Sequence, residues 1–174
     1  GGDGATHQGI FGIAYLRAVP NLTLLAPRSA GELGRMIEYA IAAGPPVAIL
    51  YPRDQSLNAD APDFEAGRWR VIRQGSDCAL LTFSAMCETA LAAADMLAGE
   101  GISARVVNCS TVKPLDTDTL KSLRIPYFTL EEDVISAGFG TMTAEAAIAE
   151  RFAPPTAIFA LPDAFVPHGD RKEL

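Results

Sequence analysis

Short apolar runs alternate along the chain with longer segments of helical periodicity. The first such group has an apolar strand at residues 22–26, a helix at residues 29–43 and a second apolar strand at residues 47–50. Ser29 and Glu32 predict a capping box at the start of this helix, and a glycine followed by two prolines ends it. A strand, a helix and a strand of these lengths predict a βαβ unit with parallel strands.

The same alternation resumes after a polar stretch of low periodicity at residues 54–67. Its Asp, Asn, Gln, Ser and Pro content is typical of a linker, so we predict one unit at residues 1–56, a linker at 57–67 and a second unit at 68–174. The second unit is expected to hold an edge strand, a buried strand and three further strands in a mostly parallel sheet. These strands are predicted at residues 68–73, 77–83, 102–109, 127–130 and 156–160. Helices of the second unit are predicted at residues 86–99 and 141–152, with a short one that begins at residue 116. The first unit has a further predicted helix at residues 9–18.

Composition narrows the class of protein. The chain has 174 residues, of which 49% are hydrophobic and 20% charged, enough for one good core or two modest ones. The net charge of −7 argues against nucleic acid or an anionic membrane as partner. With no signal-peptide pattern and no apolar run of about 20 residues, we expect a cytoplasmic protein. Cys78, Cys87 and Cys109 are then expected to be free thiols.

Two places in the chain are candidates for binding an anion. The glycine-rich loop, residues 2–9, contains Asp3 and His7, and its glycines allow the backbone to approach a ligand closely. An ordinary polar turn explains the same residues. Arg53 follows the second strand, where ligands of open α/β sheets bind, and a guanidinium suits phosphate or carboxylate. A solvated arginine at a domain edge is the alternative.

Four other motifs have simpler explanations. Asp116 is predicted to cap a helix. The acidic residues 131–133 could bind a metal, although a capping or solvated role is favoured. Residues 138–140 are only weakly similar to a phosphate-binding turn. His168 lies in a turn near the end of the chain, where it lines an interface or caps a loop.

Several short motifs occur along nearly the whole chain in a fixed order. They lie at residues 3–9, 15–17, 20–21, 26–27, 51–53, 112–116, 161–163 and 167–169. In content and order these motifs resemble the 1-deoxy-D-xylulose 5-phosphate synthases, which are transketolase-like enzymes. The resemblance implies an α/β fold with part of a pyrimidine-binding-type parallel sheet at residues 1–56 and a small C-terminal transketolase-type α/β domain at residues 68–174.

The resemblance also implies a function. Enzymes of this family condense pyruvate with D-glyceraldehyde 3-phosphate, with loss of CO2, using thiamine diphosphate and Mg²⁺, and supply isoprenoid and thiamine biosynthesis. By resemblance, Asp3 and His7 contact the reacting substrate, with His7 a catalytic residue, and Arg53 holds the phosphate of the aldehyde. The family further implies a homodimer.

The family's pattern is incomplete in this chain. The diphosphate- and metal-binding domain and the catalytic glutamate are absent, so we expect no bound cofactor, no activity of the chain alone, and a missing N-terminal segment or partner chain. Leu50 stands where the family usually has arginine, and Asp54 where it has glycine. The alternatives are a portion of another transketolase-like enzyme and a non-catalytic dimerisation module.

Overall fold

The computed structural model describes residues 4–52 and 63–169, which form a mixed α/β fold with two sheets. The helices in these ranges are α1 Gly12–Leu16, α2 Ala30–Ala42, α3 Met86–Gly99, α4 Thr117–Ser122 and α5 Phe139–Glu150. The strands are β1 Thr23–Leu25, β2 Val47–Ile49, β3 Arg70–Arg73, β4 Cys78–Thr82, β5 Ala104–Asn108, β6 Thr111–Lys113, β7 Tyr127–Val134 and β8 Ala157–Leu161.

The first sheet contains the predicted βαβ unit. Strands β1 and β2 pair in parallel and are connected through α2, as the apolar pattern predicted. The N–H of Glu32 donates to the Ser29 Oγ at 3.0 Å, which confirms Ser29 as the N-cap. The Glu32 carboxylate accepts from the N–H of Arg28 at 2.6 Å. It therefore satisfies a backbone donor just before the helix, much as a capping box does.

Strand β6 was not predicted and changes the architecture. It lies far along the chain, yet it pairs antiparallel with β1 and completes the order β2-β1-β6. Next to this pairing, the N–H of Ala26 donates to the carbonyl of Ser110 at 2.8 Å. A strand of three residues has too short a pattern to be recognised without its partner. Of the predicted linker, residues 57–62 lie outside the described ranges, and residues 63–67 form neither helix nor strand.

The second sheet agrees with its prediction. Its order is β3-β5-β4-β7-β8, and every pairing is parallel except that of the edge strand β3 with β5. Helix α3 has the predicted bounds, and Gly101 just beyond it has φ +80°, the left-handed conformation that ends helices. Strand β7 extends four residues past its predicted end at residue 130, to Val134. This extension contains Glu131 and Asp133, whose side chains are buried.

One hydrophobic core joins the two sheets. The same cluster of buried side chains includes Ile13 and Leu24 near the first sheet and Leu81 and Phe139 in the second. The ring of Phe139 contacts those of Trp69 and Phe83 edge-on, with centroids 5.7 and 5.4 Å apart. Such aromatic pairs add about 0.5–1.5 kcal/mol each beyond the burial of area. The two sheets therefore share one cluster of buried side chains.

Candidate functional site

The described part of the glycine-rich loop is a turn that presents His7 to solvent. The N–H of His7 donates to the carbonyl of Gly4 at 3.1 Å, which closes the turn. Its imidazole is exposed, and Nδ1 lies 2.9 Å from the hydroxyl of Thr6. Gly4 has φ +76°, a conformation open to glycine and costly for other residues. His7 is thus held by its backbone while its side chain lies at the surface.

The other two residues of the expected anion site, Asp3 and Arg53, lie outside the described residues, as does Asp54. The structure does describe Leu50, just beyond the carboxyl end of β2. Its N–H donates to the carbonyl of Leu25 at 2.8 Å, and its side chain packs toward Gly12. Leu50 is therefore part of the packing between β2 and α1, where an arginine would bring a charge.

The C-terminal segment, residues 164–169, lies against the glycine-rich loop. The Gln8 amide nitrogen donates to the carbonyl of Val166, and the N–H of Val166 donates back to the Gln8 Oε1 at 3.1 Å. Phe11 and Phe165 pack edge-on beside this pair, with ring centroids 5.5 Å apart. Two segments that each carry one of the chain's two histidines are thereby held together.

The end of β7 anchors the residues that follow the glycine-rich loop. The N–H of Val134 donates to the carbonyl of Ile10 at 3.0 Å, and the N–H of Ile13 donates to the Asp133 carboxylate at 3.3 Å. Burial raises the pKa of Asp133 to about 7, the nearby charge of Glu132 adds to that shift, and the hydrogen bond from Ile13 opposes it. The position of the residues that follow the loop therefore depends on Asp133, a buried acid on β7.

Glu131 of the acidic motif caps a helix. Its carboxylate accepts from the N–H groups of Phe139 and Gly140, at 2.7 and 2.8 Å, at the start of α5. Burial raises its pKa to about 7 although both hydrogen bonds lower it. The turn at residues 138–140, which was only weakly similar to a phosphate site, already has an internal carboxylate on these two donors. The favoured capping role is confirmed for Glu131.

The remaining motifs have structural roles. Asp116 caps α4 by accepting from the N–H of Thr119 at 3.0 Å, as predicted, and it also accepts from the N–H of Trp69 at 2.9 Å. Cys78, Cys87 and Cys109 are free thiols, as predicted. His168 lies in a bend of the C-terminal segment.

Among residues 4–52 and 63–169, no group of three or more His, Cys, Asp or Glu side chains is arranged to hold a metal ion. Within the same ranges, no helix combines the length and the apolar character needed to cross a membrane.

The sequence reasoning missed two of these contacts. Gln8 was noted only as part of a motif, and Glu131 only as one of three acidic residues. The position of Gln8 beside His7 was the available signal for the first. No local signal shows that a carboxylate on β7 faces the start of α5.

Comparison with known proteins gives the family. Residues 1–57 match the transketolase pyrimidine binding domain, and residues 67–174 match the transketolase C-terminal domain. The chain is 41% identical over 173 residues to a 1-deoxy-D-xylulose-5-phosphate synthase of Thermus thermophilus, covering 97% of this chain and 28% of the relative. It is 37% identical over 190 residues to the synthase of Lysinibacillus sphaericus, covering all of this chain and 29% of that relative.

Solved structures agree on the fold. A structure titled as a split gene transketolase, an inactive beta4 tetramer, has a TM-score of 0.77 at 29% identity, covering 95% of this chain and 56% of that one. A transketolase mutant of Pichia stipitis has a TM-score of 0.75 at 23% identity, covering 99% of this chain and 25% of that one, which supports the fold alone. The chain spans under a third of the length of its synthase relatives. With its pyrimidine-binding portion followed by its C-terminal domain, the chain belongs to the transketolase family.

Proposed function

We propose that this chain is the C-terminal portion of a 1-deoxy-D-xylulose 5-phosphate synthase. The observation that carries the proposal is identity of 37–41% along essentially the whole chain to enzymes of that name. The complete enzyme condenses pyruvate with D-glyceraldehyde 3-phosphate, forming one carbon–carbon bond and releasing CO2. Thiamine diphosphate supplies the electron sink for this chemistry when it is bound. We place the enzyme in the cytoplasm.

The residues of this chain bind and orient the substrates. His7, with its ring exposed at a closed turn, contacts the reacting substrate and is the catalytic residue of this portion. Asp3 shares the same loop and contacts the substrate with it. Arg53 follows β2 closely and holds the aldehyde phosphate, a role that suits a guanidinium. We propose the domain boundaries of the sequence analysis: residues 1–56, a linker at 57–67, and residues 68–174.

The chain acts together with further polypeptide. Its relatives are more than three times as long, and the described residues provide no metal cluster of their own. One related structure is titled as an inactive assembly of one type of split transketolase chain. The cofactor diphosphate, Mg²⁺ and the activating glutamate are therefore assigned to the missing N-terminal segment or a partner chain, in a homodimer of the complete protein. Alone, this chain is inactive and binds no cofactor.

Release of CO2 together with a five-carbon product separates this proposal from its alternatives. The complete protein is supplied with pyruvate labelled at its carboxyl carbon and D-glyceraldehyde 3-phosphate, and labelled CO2 should appear together with the five-carbon product. A transketolase moves a two-carbon unit between sugar phosphates without loss of CO2. The proposal is contradicted if the protein releases no labelled CO2 from pyruvate but accepts xylulose 5-phosphate as a two-carbon donor.

Replacing His7 tests the part that this chain plays. His7→Ala should lower kcat/KM at least 10-fold, because a general acid or base typically contributes 100-fold or more. Gln74→Ala is the matched control, because Gln74 is exposed between β3 and β4. Full activity of His7→Ala would instead indicate a non-catalytic module.

A further inference from the structure

Gln8 makes a two-way contact with the C-terminal segment. Its amide nitrogen donates to the Val166 carbonyl, and its amide oxygen accepts from the Val166 N–H at 3.1 Å. Both polar groups of one peptide residue are thus satisfied by one side chain. Gln8 is half-buried at this contact, whereas His7 beside it is exposed.

Residues that flank these two segments are also anchored side by side at the end of β7. The N–H of Val134 donates to the carbonyl of Ile10, and the next residue, Ile135, donates its N–H to the carbonyl of Leu161 at 2.8 Å. A residue just after the glycine-rich loop and a residue shortly before the C-terminal segment are therefore bound by two consecutive residues at the end of β7. The hydrogen bonds between Gln8 and Val166 then join the loop directly to the C-terminal segment. The loop that carries His7 is therefore held by β7 just after its end, at Ile10, and by the C-terminal segment at Gln8.

We propose that Gln8 is a positioning residue: it clamps the glycine-rich loop onto the C-terminal segment and so fixes the orientation of His7 toward the acceptor aldehyde. The proposal rests on the proposed function for the role of His7, while the clamp itself rests on the contacts of Gln8. A misplacement of about 1 Å at a reacting group can cost up to 100-fold in rate.

The chemistry of the clamp requires an amide of this length. Glutamate keeps the acceptor for the Val166 N–H, but it lacks the donor and places a carboxylate oxygen against the Val166 carbonyl. Methionine has nearly the same size and neither polar group. Gln8→Met therefore removes the hydrogen bonds while the volume is kept, and Gln8→Glu removes one of them. Gln74→Met is the matched control at an exposed glutamine.

Hydrogen exchange and NMR test the clamp without any need for activity. In the full protein that carries this chain, Gln8→Met should speed amide exchange in residues 4–12 and 164–169 at least fivefold and leave α3 unchanged. In protein with ¹⁵N-labelled histidine, the imidazole signals of His7, assigned with His7→Ala, should shift in Gln8→Met and stay in place in Gln74→Met. Should Gln8→Met fail to fold, Gln8→Glu is measured in the same way.

A double-mutant cycle tests positioning in the active enzyme. Gln8→Met should lower kcat/KM about 10-fold when His7 is present and less than twofold in the His7→Ala background, because only the first enzyme has a residue to misplace. Equal losses in the two backgrounds, or unchanged exchange and unchanged His7 signals, overturn the proposal. An inactive parent enzyme contradicts the proposed function alone, and the exchange and NMR measurements then still decide whether Gln8 holds the loop.

Discussion

The side-chain amide of Asn108 donates to the carboxylate of Glu32 at 3.0 Å, with both side chains buried where α2 meets β5. Residues predicted to lie in different units are thus hydrogen-bonded to each other inside the protein. The Glu32 carboxylate also accepts from the N–H of Arg28, so its charge is satisfied from two sides. This bond joins the unit that carries His7 to the second sheet.

Removing the Glu32 carboxylate should weaken the whole fold. Glu32→Ala leaves the amide of Asn108 buried without this partner, and the loss should lower the free energy of unfolding by about 2–4 kcal/mol. Urea denaturation measures it. Glu38→Ala, on an exposed face of α2 where Glu38 pairs with Arg35, is the control and should cost less than about 0.5 kcal/mol. Similar losses in the two variants would contradict a structural role for the buried bond.

Stability should fall as pH rises from about 4 to 7, because of the two buried acids on β7. Their pKa values are raised to about 7 in the folded protein, whereas unfolded carboxyls ionise near pH 4. Between these values the folded state holds protons that the unfolded state releases. Each of these groups therefore contributes a fall of up to about 1.4 kcal/mol per pH unit.

The matched pair Asp133→Asn and Asp95→Asn tests this slope in urea denaturation at several pH values. Asparagine keeps the acceptor for the Ile13 N–H and does not titrate, so Asp133→Asn should remove a large part of the slope. Asp95 is an exposed residue paired with Arg73, and its replacement should leave the slope intact. An undiminished slope in Asp133→Asn would show that this residue is already ionised in the folded protein at low pH.

Two glycines should respond in opposite ways to alanine. A Cβ at Gly75 would lie 2.2 Å from the backbone of Ala104, so Gly75→Ala must push β5 away and should cost more than about 2 kcal/mol. At Gly34 in the exposed part of α2 a Cβ meets nothing within 4 Å, and Gly34→Ala should add about 0.5–1 kcal/mol. Thermal unfolding measures both changes. If Gly75→Ala leaves the stability unchanged, the backbone at Gly75 can move away from β5 at little cost.

The buried thiols should be unreactive in the folded protein. Burial raises the pKa of Cys87 and of Cys109, and the thiolate is the reactive form. With a thiol-specific reagent at pH 8, the native protein should react slowly and only at the half-buried Cys78. Cys78→Ser should then show no reaction until denaturant is added. Fast labelling of Cys78→Ser would indicate that the core opens locally.

Local sequence predicted most of the regular structure and less of the site. The β-strands of the second sheet and α3 follow from apolar runs and helical spacing, which are properties of neighbouring residues. Strand β6, the Gln8 clamp and the bond between Glu32 and Asn108 each join residues far apart in the chain. No local pattern specifies such partners. Two of the three residues in the expected anion site, Asp3 and Arg53, lie outside the described residues, so that site stays a prediction.

Strand β6 has a consequence for synthesis on the ribosome. Strand β1 leaves the ribosome before its antiparallel partner at Thr111–Lys113, which emerges only after the linker and three strands of the second sheet. Until then one edge of β1 is without that partner, and an unpaired edge can recruit another chain. The first sheet must therefore wait for the second to be largely translated, and a ribosome that stalls shortly before Thr111 would leave a nascent chain prone to aggregate.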